Sequence, residues 1–167
     1  MYVMCGLSGS GKTTYAREFA ADNNLFYLGI DEFYEWYNGD ECIHENTFEV
    51  WIEFYQAIHR AEKKGMDILV DIDAPTYVDR TQILDWFPNF DEYHLICVTA
   101  PERLRRANNS SRTRRIPEEE MNRMLERWEY PRDEFEDYRW NTIFIVHNMD
   151  NILAEFTLER FEYVEEE

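Results

Sequence analysis

Eight residues near the amino terminus fit the pattern G-x-x-x-x-G-K-[ST] at every fixed position, and they read Gly6-Leu7-Ser8-Gly9-Ser10-Gly11-Lys12-Thr13. They follow an apolar run of strand length, 2–5, and lead into a helical segment, 13–22. Glycines let the backbone curl so that successive N–H groups point at phosphate oxygens, and the helix that follows adds its dipole. The pattern therefore predicts a loop between a strand and a helix that binds a nucleoside triphosphate.

The side chains of this loop have distinct expected roles. Lys12 places a positive charge at the β- and γ-phosphates, and the Thr13 hydroxyl is suited to coordinate Mg²⁺. We therefore expect ATP and Mg²⁺ as cofactors. The predicted nucleotide-binding residues of the loop are Gly9, Ser10, Gly11, Lys12, Thr13 and Thr14. Such a loop does not by itself distinguish a kinase from a hydrolase or a switch.

Apolar runs of strand length alternate with longer helical segments along the chain, which is typical of a parallel α/β sheet. We predict one domain, 1–167, with the three-layer α/β/α sandwich of P-loop NTPases and a mostly parallel five-stranded sheet. The predicted strands are 2–5, 25–30, 68–70, 93–98 and 141–146. The predicted helices are 13–22, 45–64, 77–87, one opening at Pro117, and a last one at 151–163. Thr99 and Glu102 fit a capping box at the start of a further helix.

Composition narrows the class of protein. A hydrophobic fraction of 44% excludes a disordered or fibrous chain. No apolar stretch has the length of a membrane span, and no signal-peptide pattern precedes the loop, so we expect a cytoplasmic protein without a membrane partner. Three cysteines, Cys5, Cys42 and Cys97, show no metal-binding spacing, so we expect neither disulfide nor zinc, with all three reduced and two of them buried.

Charge is unevenly distributed. The formal net charge is −18, and the stretch 18–59 contains no lysine or arginine. By contrast, six arginines and no acid lie within 103–115. Bound polyphosphate would relieve the repulsion among these guanidinium groups. We therefore predict an arginine-rich helical lid at about 101–130. Within it, the first half of the arginine cluster 103–115 is expected to be helical and the middle of the cluster to be a loop. The predicted phosphate contacts of the lid are Arg105 and Arg106, with Arg112 as a catalytic cation.

Phosphoryl transfer to a hydroxyl also needs carboxylates beside the γ-phosphate. Asp31 follows the second strand, at the sheet edge where ligands bind, and is the candidate base; Glu32 is its competitor, and a helix N-cap is the alternative role for Asp31. Asp71 ends an apolar strand, as a carboxylate that binds Mg²⁺ does. Asp73, two residues later, could bind the metal in place of Asp71. The alternative role for Asp71 is that of an aspartate that only forms a turn.

These residues resemble the 5′-hydroxyl kinase domain of phage polynucleotide kinase and its family of small P-loop kinases. Asp31-Glu32-Phe33 is similar to the family's catalytic D-D-Y segment, and 105–112 followed by Ile116-Pro117 looks like its arginine lid. The segment 130–135 also resembles a family motif, and Arg80 matches a basic position. The resemblance implies an ATP-dependent phosphotransferase with Asp31 as base and an acceptor site formed by Asp31, Tyr34, Asp71 and Asp73. Tyr34 stands where the family's kinase has an arginine for the acceptor phosphate.

Three functions remain open on the sequence alone. The first is a kinase for a nucleic-acid or nucleotide hydroxyl. The second is a kinase for a small neutral or cationic acceptor such as a sugar, nucleoside or antibiotic, which the acidic stretch favours. The third is an NTPase or nucleotide-dependent switch without an acceptor.

Overall fold

A computed structural model of the chain describes residues 1–39, 45–112, 115–150 and 155–162. Its strands are β1 (Tyr2–Cys5), β2 (Phe26–Gly29), β3 (Ile68–Asp71), β4 (His94–Thr99), β5 (Thr142–Asp150) and β6 (Glu155–Glu162). Its α-helices are α1 (Lys12–Asp22), α2 (Ile30–Asn38), α3 (Thr47–Lys63), α4 (Tyr77–Trp86), α5 (Glu102–Ser111) and α6 (Glu118–Arg127). A short 3₁₀ turn, Asp133–Phe135, precedes β5.

The strands form one sheet in the order β2-β3-β1-β4-β5-β6. The first five strands of this order are parallel, which confirms the predicted α/β fold with a five-stranded parallel sheet. The helix predicted for 151–163 is wrong, because residues 155–162 form β6 and pair antiparallel with β5 along most of its length. The sheet therefore has six strands, with one antiparallel strand at its edge.

Side chains alternate between the two faces of the sheet, and each face is covered by helices. On one face Met4, Leu69 and Ile96 pack with Ala16 and Ala20 of α1. On the other face lies a larger cluster with residues of α2, α3 and α4, among them Tyr34, Phe54, Ile83 and Trp140. These layers give the predicted three-layer sandwich, and each buried aliphatic or aromatic side chain contributes about 1.5–3 kcal/mol by leaving water.

Two cysteines lie inside this core. Cys5 and Cys97 are aligned on the neighbouring strands β1 and β4, and both are free and fully buried. The prediction that two cysteines are buried is confirmed for this pair. Cys42 lies outside the described residues.

Helix ends differ in detail from the expectations. The capping box predicted at Thr99 is wrong: α5 starts after Pro101, and the Thr99 hydroxyl instead lies 2.9 Å from Nδ1 of His147. A capping box does open α4, where Thr76 and Asp79 exchange hydrogen bonds. The helix α5 also continues to Ser111, through residues expected to form a loop.

Candidate active site

The glycine loop connects the end of β1 to the start of α1, as predicted. Gly9 and Gly11 have φ values of 80° and 95°, which is the left-handed region that glycine tolerates best. The N-cap residue of α1 is Gly11, which has no side chain to cap the helix, and no acidic residue lies in the first turn. The amino end of α1 therefore keeps its N–H groups and its positive dipole end for an anion.

Neighbouring elements hold the loop in this shape. The Asn108 amide on α5 donates to the Gly9 carbonyl at 2.7 Å, and the Asn148 amide on β5 donates to the Ser10 carbonyl at 3.0 Å. A side chain at Gly9 would collide with the backbone of Arg105, so α5 packs directly on the loop. Sequence reasoning missed both asparagines, because no motif marks them.

Lys12 is paired with one carboxylate and lies within the electrostatic influence of two more. Its Nζ forms an ion pair with Oδ1 of Asp71, which is 4% exposed. Burial alone would lower the pKa of Lys12, but Asp71 and, after it, Asp31 and Asp73 raise it above its usual value. The structure thus brings together four of the predicted site residues at the carboxyl edge of the sheet.

A tyrosine that the sequence analysis did not identify completes this group. The Tyr27 hydroxyl on β2 donates a hydrogen bond of 3.0 Å to Oδ2 of Asp71. Burial, together with the Asp71 charge, raises the pKa of Tyr27, so the phenol keeps its proton. The Arg17 guanidinium lies 5.6 Å from the centre of the Tyr27 ring and bonds Glu32 at 3.0 Å. Glu32, the competitor of Asp31, is therefore paired with a cation.

The other residues predicted to bind the acceptor occupy different environments. Asp31 is exposed in the first turn of α2. The N-cap of that helix is Gly29, so the alternative role of Asp31 as a cap is wrong. Asp73 is also exposed, just beyond β3. Tyr34 is only 5% exposed and packs in the core, so its side chain offers little surface to an acceptor.

The predicted lid arginines also separate by environment. Arg105 is 6% exposed beside the loop, and within the described residues its guanidinium forms no hydrogen bond or ion pair. Burial lowers its pKa, and the nearby charge of Glu102 only partly offsets this effect. Arg106 instead bonds Glu102 and Glu118, each at 2.8 Å, and so links α5 to α6. Arg112 is exposed just past the end of α5.

The oxygen donors fit Mg²⁺ bound together with a nucleotide. In the part of the chain that the structure describes, no group of three or more His, Cys, Asp or Glu side chains could hold a metal ion. Mg²⁺ is usually bound by one or two carboxylates plus phosphates rather than by a protein cage. Asp71 and the Thr13 hydroxyl at the start of α1 are hard oxygen donors of that kind.

A buried ion pair supports the loop that carries Asp73. Arg80 of α4 pairs with Glu134, and both side chains are fully buried. Arg80 Nη1 donates to the carbonyls of Ala74 and Pro75, at 3.2 and 3.0 Å. The backbone N–H of Glu129 also donates to the Pro75 carbonyl, at 2.9 Å. The segment after α6 is thereby joined to the Asp73 loop.

Comparisons with known proteins agree with this architecture. The family model described as AAA domain matches residues 1–131. A sugar kinase from Janibacter sp. has a TM-score of 0.63 at 17% identity, covering 87% of this chain and 83% of its own. A gluconokinase from Sinorhizobium meliloti has a TM-score of 0.58 at 19% identity, covering 87% and 81%. Kti12 from Chaetomium thermophilum, in complex with ADP-AlF3, has a TM-score of 0.63 at 19% identity, covering 92% of each chain.

A search of curated proteins gives no match. Among the described residues, no helix combines the length and the apolar character needed to cross a bilayer. The structural matches establish that the chain has the fold of P-loop kinases.

Proposed function

This chain belongs to the family described as AAA domain, and from that premise we propose that it is an ATP- and Mg²⁺-dependent kinase. It transfers the γ-phosphate to a hydroxyl group of a small neutral or cationic acceptor. The observation that carries this proposal is the Lys12–Asp71 ion pair beside a loop shaped for phosphate, where the charges of Asp31 and Asp73 also act on Lys12.

Each group has a defined part in this reaction. The N–H groups of the loop and Lys12 hold the phosphates. Arg105, which lies on α5 beside the loop, neutralises part of the negative charge of the phosphates. Asp31, exposed at the edge of the site, accepts the proton of the acceptor hydroxyl. Thr13 and Asp71 would hold Mg²⁺, which supplies charge neutralisation to the phosphates when bound.

The acidic surroundings favour a small acceptor without a phosphate of its own. The stretch 18–59, which includes α2 and most of α3, has no lysine or arginine. Tyr34 lies in the core, at the position where the polynucleotide kinase that the sequence resembles has its acceptor-binding arginine. The structurally similar sugar kinase and gluconokinase act on small acceptors, as their names state. An amine or neutral hydroxyl compound suits this surface better than a polyanion.

A 5′-hydroxyl polynucleotide is the second candidate acceptor. It is favoured by the exposed Arg103, Arg112 and Arg115, for which the described residues provide no ion pair, and by the Asp31-Glu32-Phe33 segment. Contacts of such arginines with a strand release counterions, so polynucleotide phosphorylation would weaken steeply as salt is raised.

The test is phosphate transfer from labelled ATP to a panel of acceptors: sugars, nucleosides, aminoglycosides and 5′-hydroxyl oligonucleotides. We expect transfer to a small acceptor, and Asp31→Asn should lower it by about 10²-fold or more while ATP affinity stays within about threefold. Glu32→Gln, at the neighbouring carboxylate that Arg17 binds, is the matched control and should retain transfer. ATP hydrolysis with no transfer to any acceptor would instead identify an NTPase and overturn the proposal.

A further inference from the structure

Both oxygens of the Asp71 carboxylate are occupied in the structure, by donors of different kinds. Oδ1 accepts a hydrogen bond from the charged Lys12 ammonium, and Oδ2 accepts one from the neutral Tyr27 phenol. Asp71 and Tyr27 lie on neighbouring strands, β3 and β2. The carboxylate is therefore fixed from one side by a group that belongs to the phosphate site and from the other by a group that does not.

Gly29 makes the contact of Tyr27 with Asp71 sterically allowed. Gly29 is directly opposite Asp71 in the β2–β3 register, and Tyr27 is two residues earlier on the same face of β2. A Cβ atom at position 29 would collide with the Tyr27 hydroxyl and ring. The backbone of Gly29, at φ −104° and ψ 126°, suits any residue. The need for a glycine at position 29 therefore comes from the space that the Tyr27 phenol occupies and not from the backbone conformation.

Nucleotide binding must change the partners of Asp71. Lys12 is the residue that the phosphates need, so it has to release Oδ1 when they arrive. A carboxylate that is 4% exposed and loses the Lys12 ammonium would be free to rotate away from the metal position. The Tyr27 hydrogen bond is made to the other oxygen, Oδ2, and does not involve Lys12, so nothing in this exchange requires it to break.

We propose that Tyr27 is a positioning residue that holds the Asp71 carboxylate in place while Lys12 moves from Asp71 to the phosphates, so that Asp71 can bind the Mg²⁺ of the nucleotide. The inference rests on the proposed function. It assigns Tyr27 to metal-dependent nucleotide binding rather than to acceptor recognition.

The test compares the affinity for ADP with Mg²⁺ and with EDTA, measured by calorimetry, in the wild type and in Tyr27→Phe. Loss of an outer partner of a metal ligand costs about 10- to 100-fold in metal affinity. We therefore expect the gain in ADP affinity on adding Mg²⁺ to shrink about tenfold in Tyr27→Phe, while metal-free ADP binds within about twofold of the wild type.

Gly29→Ala provides a second, independent variant, because it displaces the phenol without removing it. It should reduce the Mg²⁺ effect as Tyr27→Phe does, and the double variant should lose no more than either single variant. Tyr93→Phe is the matched control. Tyr93 directly precedes β4, and its hydroxyl donates a hydrogen bond of 2.6 Å to the Phe87 carbonyl. The substitution removes this hydrogen bond and should leave the Mg²⁺ effect unchanged.

The outcomes separate the two proposals. A wild-type protein that binds no ADP overturns the proposed function, and the inference with it. A wild type whose ADP affinity increases with Mg²⁺, beside a Tyr27→Phe variant with the same increase, overturns the inference alone. If Tyr27→Phe and Gly29→Ala both lower the melting temperature but leave the Mg²⁺ effect unchanged, Tyr27 has only a structural role. That result also overturns the inference.

Discussion

Asp73 is a carboxylate whose surroundings disfavour its charge. Although its side chain is partly exposed to solvent, the hydration that it loses to its neighbours raises its pKa. Lys12 and Arg127 oppose this shift, and Asp31 and Asp79 add to it. Since the pKa is raised in the folded state, ionisation of Asp73 destabilises the fold as pH rises through that folded-state pKa. Asp73→Asn should therefore raise the melting temperature at about pH 7, and the gain should disappear near pH 3, where both folded and unfolded chains are protonated.

The measurement is thermal unfolding of the two proteins across this pH range, followed by circular dichroism. Glu126→Gln, at an exposed position on α6, is the control for removal of one negative charge from the surface. A variant that is equally stable or less stable than the wild type at neutral pH would contradict the prediction. If Asp73→Asn stabilises the fold, the chain retains this carboxylate at a cost, as residues of functional sites do.

At the scale of single residues, the sequence was informative where a local motif defines the chemistry. The loop residues and Lys12 follow from one pattern of eight positions, and Asp71 follows from the strand that it ends. Tyr27, Asn108 and Asn148 could not be predicted in this way. Their hydrogen-bond partners are 44, 99 and 138 residues away in the chain, so only the order and register of the strands bring them together.

At the scale of secondary-structure elements, the buried pair of Arg80 and Glu134 joins α4 to the 3₁₀ turn before β5. Removal of one partner leaves the other as an uncompensated buried charge, which costs about 3–5 kcal/mol, whereas replacement of both by apolar residues of similar volume costs far less. Arg80→Met and Glu134→Leu should each destabilise the protein by about that amount in urea unfolding. The double variant should be more stable than either single variant.

An exposed ion pair on α6 serves as the comparison for this result. Arg123 pairs with Glu120 at the surface, with 67% and 37% of their side chains exposed. Such pairs contribute about 0–1 kcal/mol, so Arg123→Met should have a small effect. Destabilisation in the Arg80 and Glu134 double variant that equals the sum of the two single variants would show that the two side chains do not act as a pair.

The errors at this scale have a common physical origin. The segment 151–163 contains good helix formers, and its apolar residues do not separate a helical period from an alternating one. Pairing with β5 decides the outcome for residues 155–162, because an edge strand gains backbone hydrogen bonds that a local pattern does not reveal. The end of α5 was also misjudged, since Ser110 and Ser111 bond the carbonyls of Arg106 and Asn108 within the helix.

At the scale of the whole molecule, the fold was predictable because its determinants are repeated along the chain. Each parallel strand is a short apolar run, and helices lie between them in sequence. The acceptor could not be predicted, since its recognition depends on how side chains from separate elements are arranged in space and not on a local motif. Charge, however, is a property of the entire chain, and it has consequences for stability that do not depend on the acceptor.

A net charge of −18 means that folding brings many carboxylates closer together. The screening length falls from about 30 Å at 10 mM salt to about 8 Å at 0.15 M, so the melting temperature of the nucleotide-free protein should rise over this range of NaCl. Glu18, exposed on α1 in the stretch without basic residues, allows a graded control. Glu18→Gln and Glu18→Lys should raise the melting temperature at low salt, the second more than the first, and both differences should narrow as salt is added. Melting temperatures that fall or stay constant over this range, or salt responses that are identical in the three proteins, would show that repulsion among the carboxylates does not limit the stability of this fold.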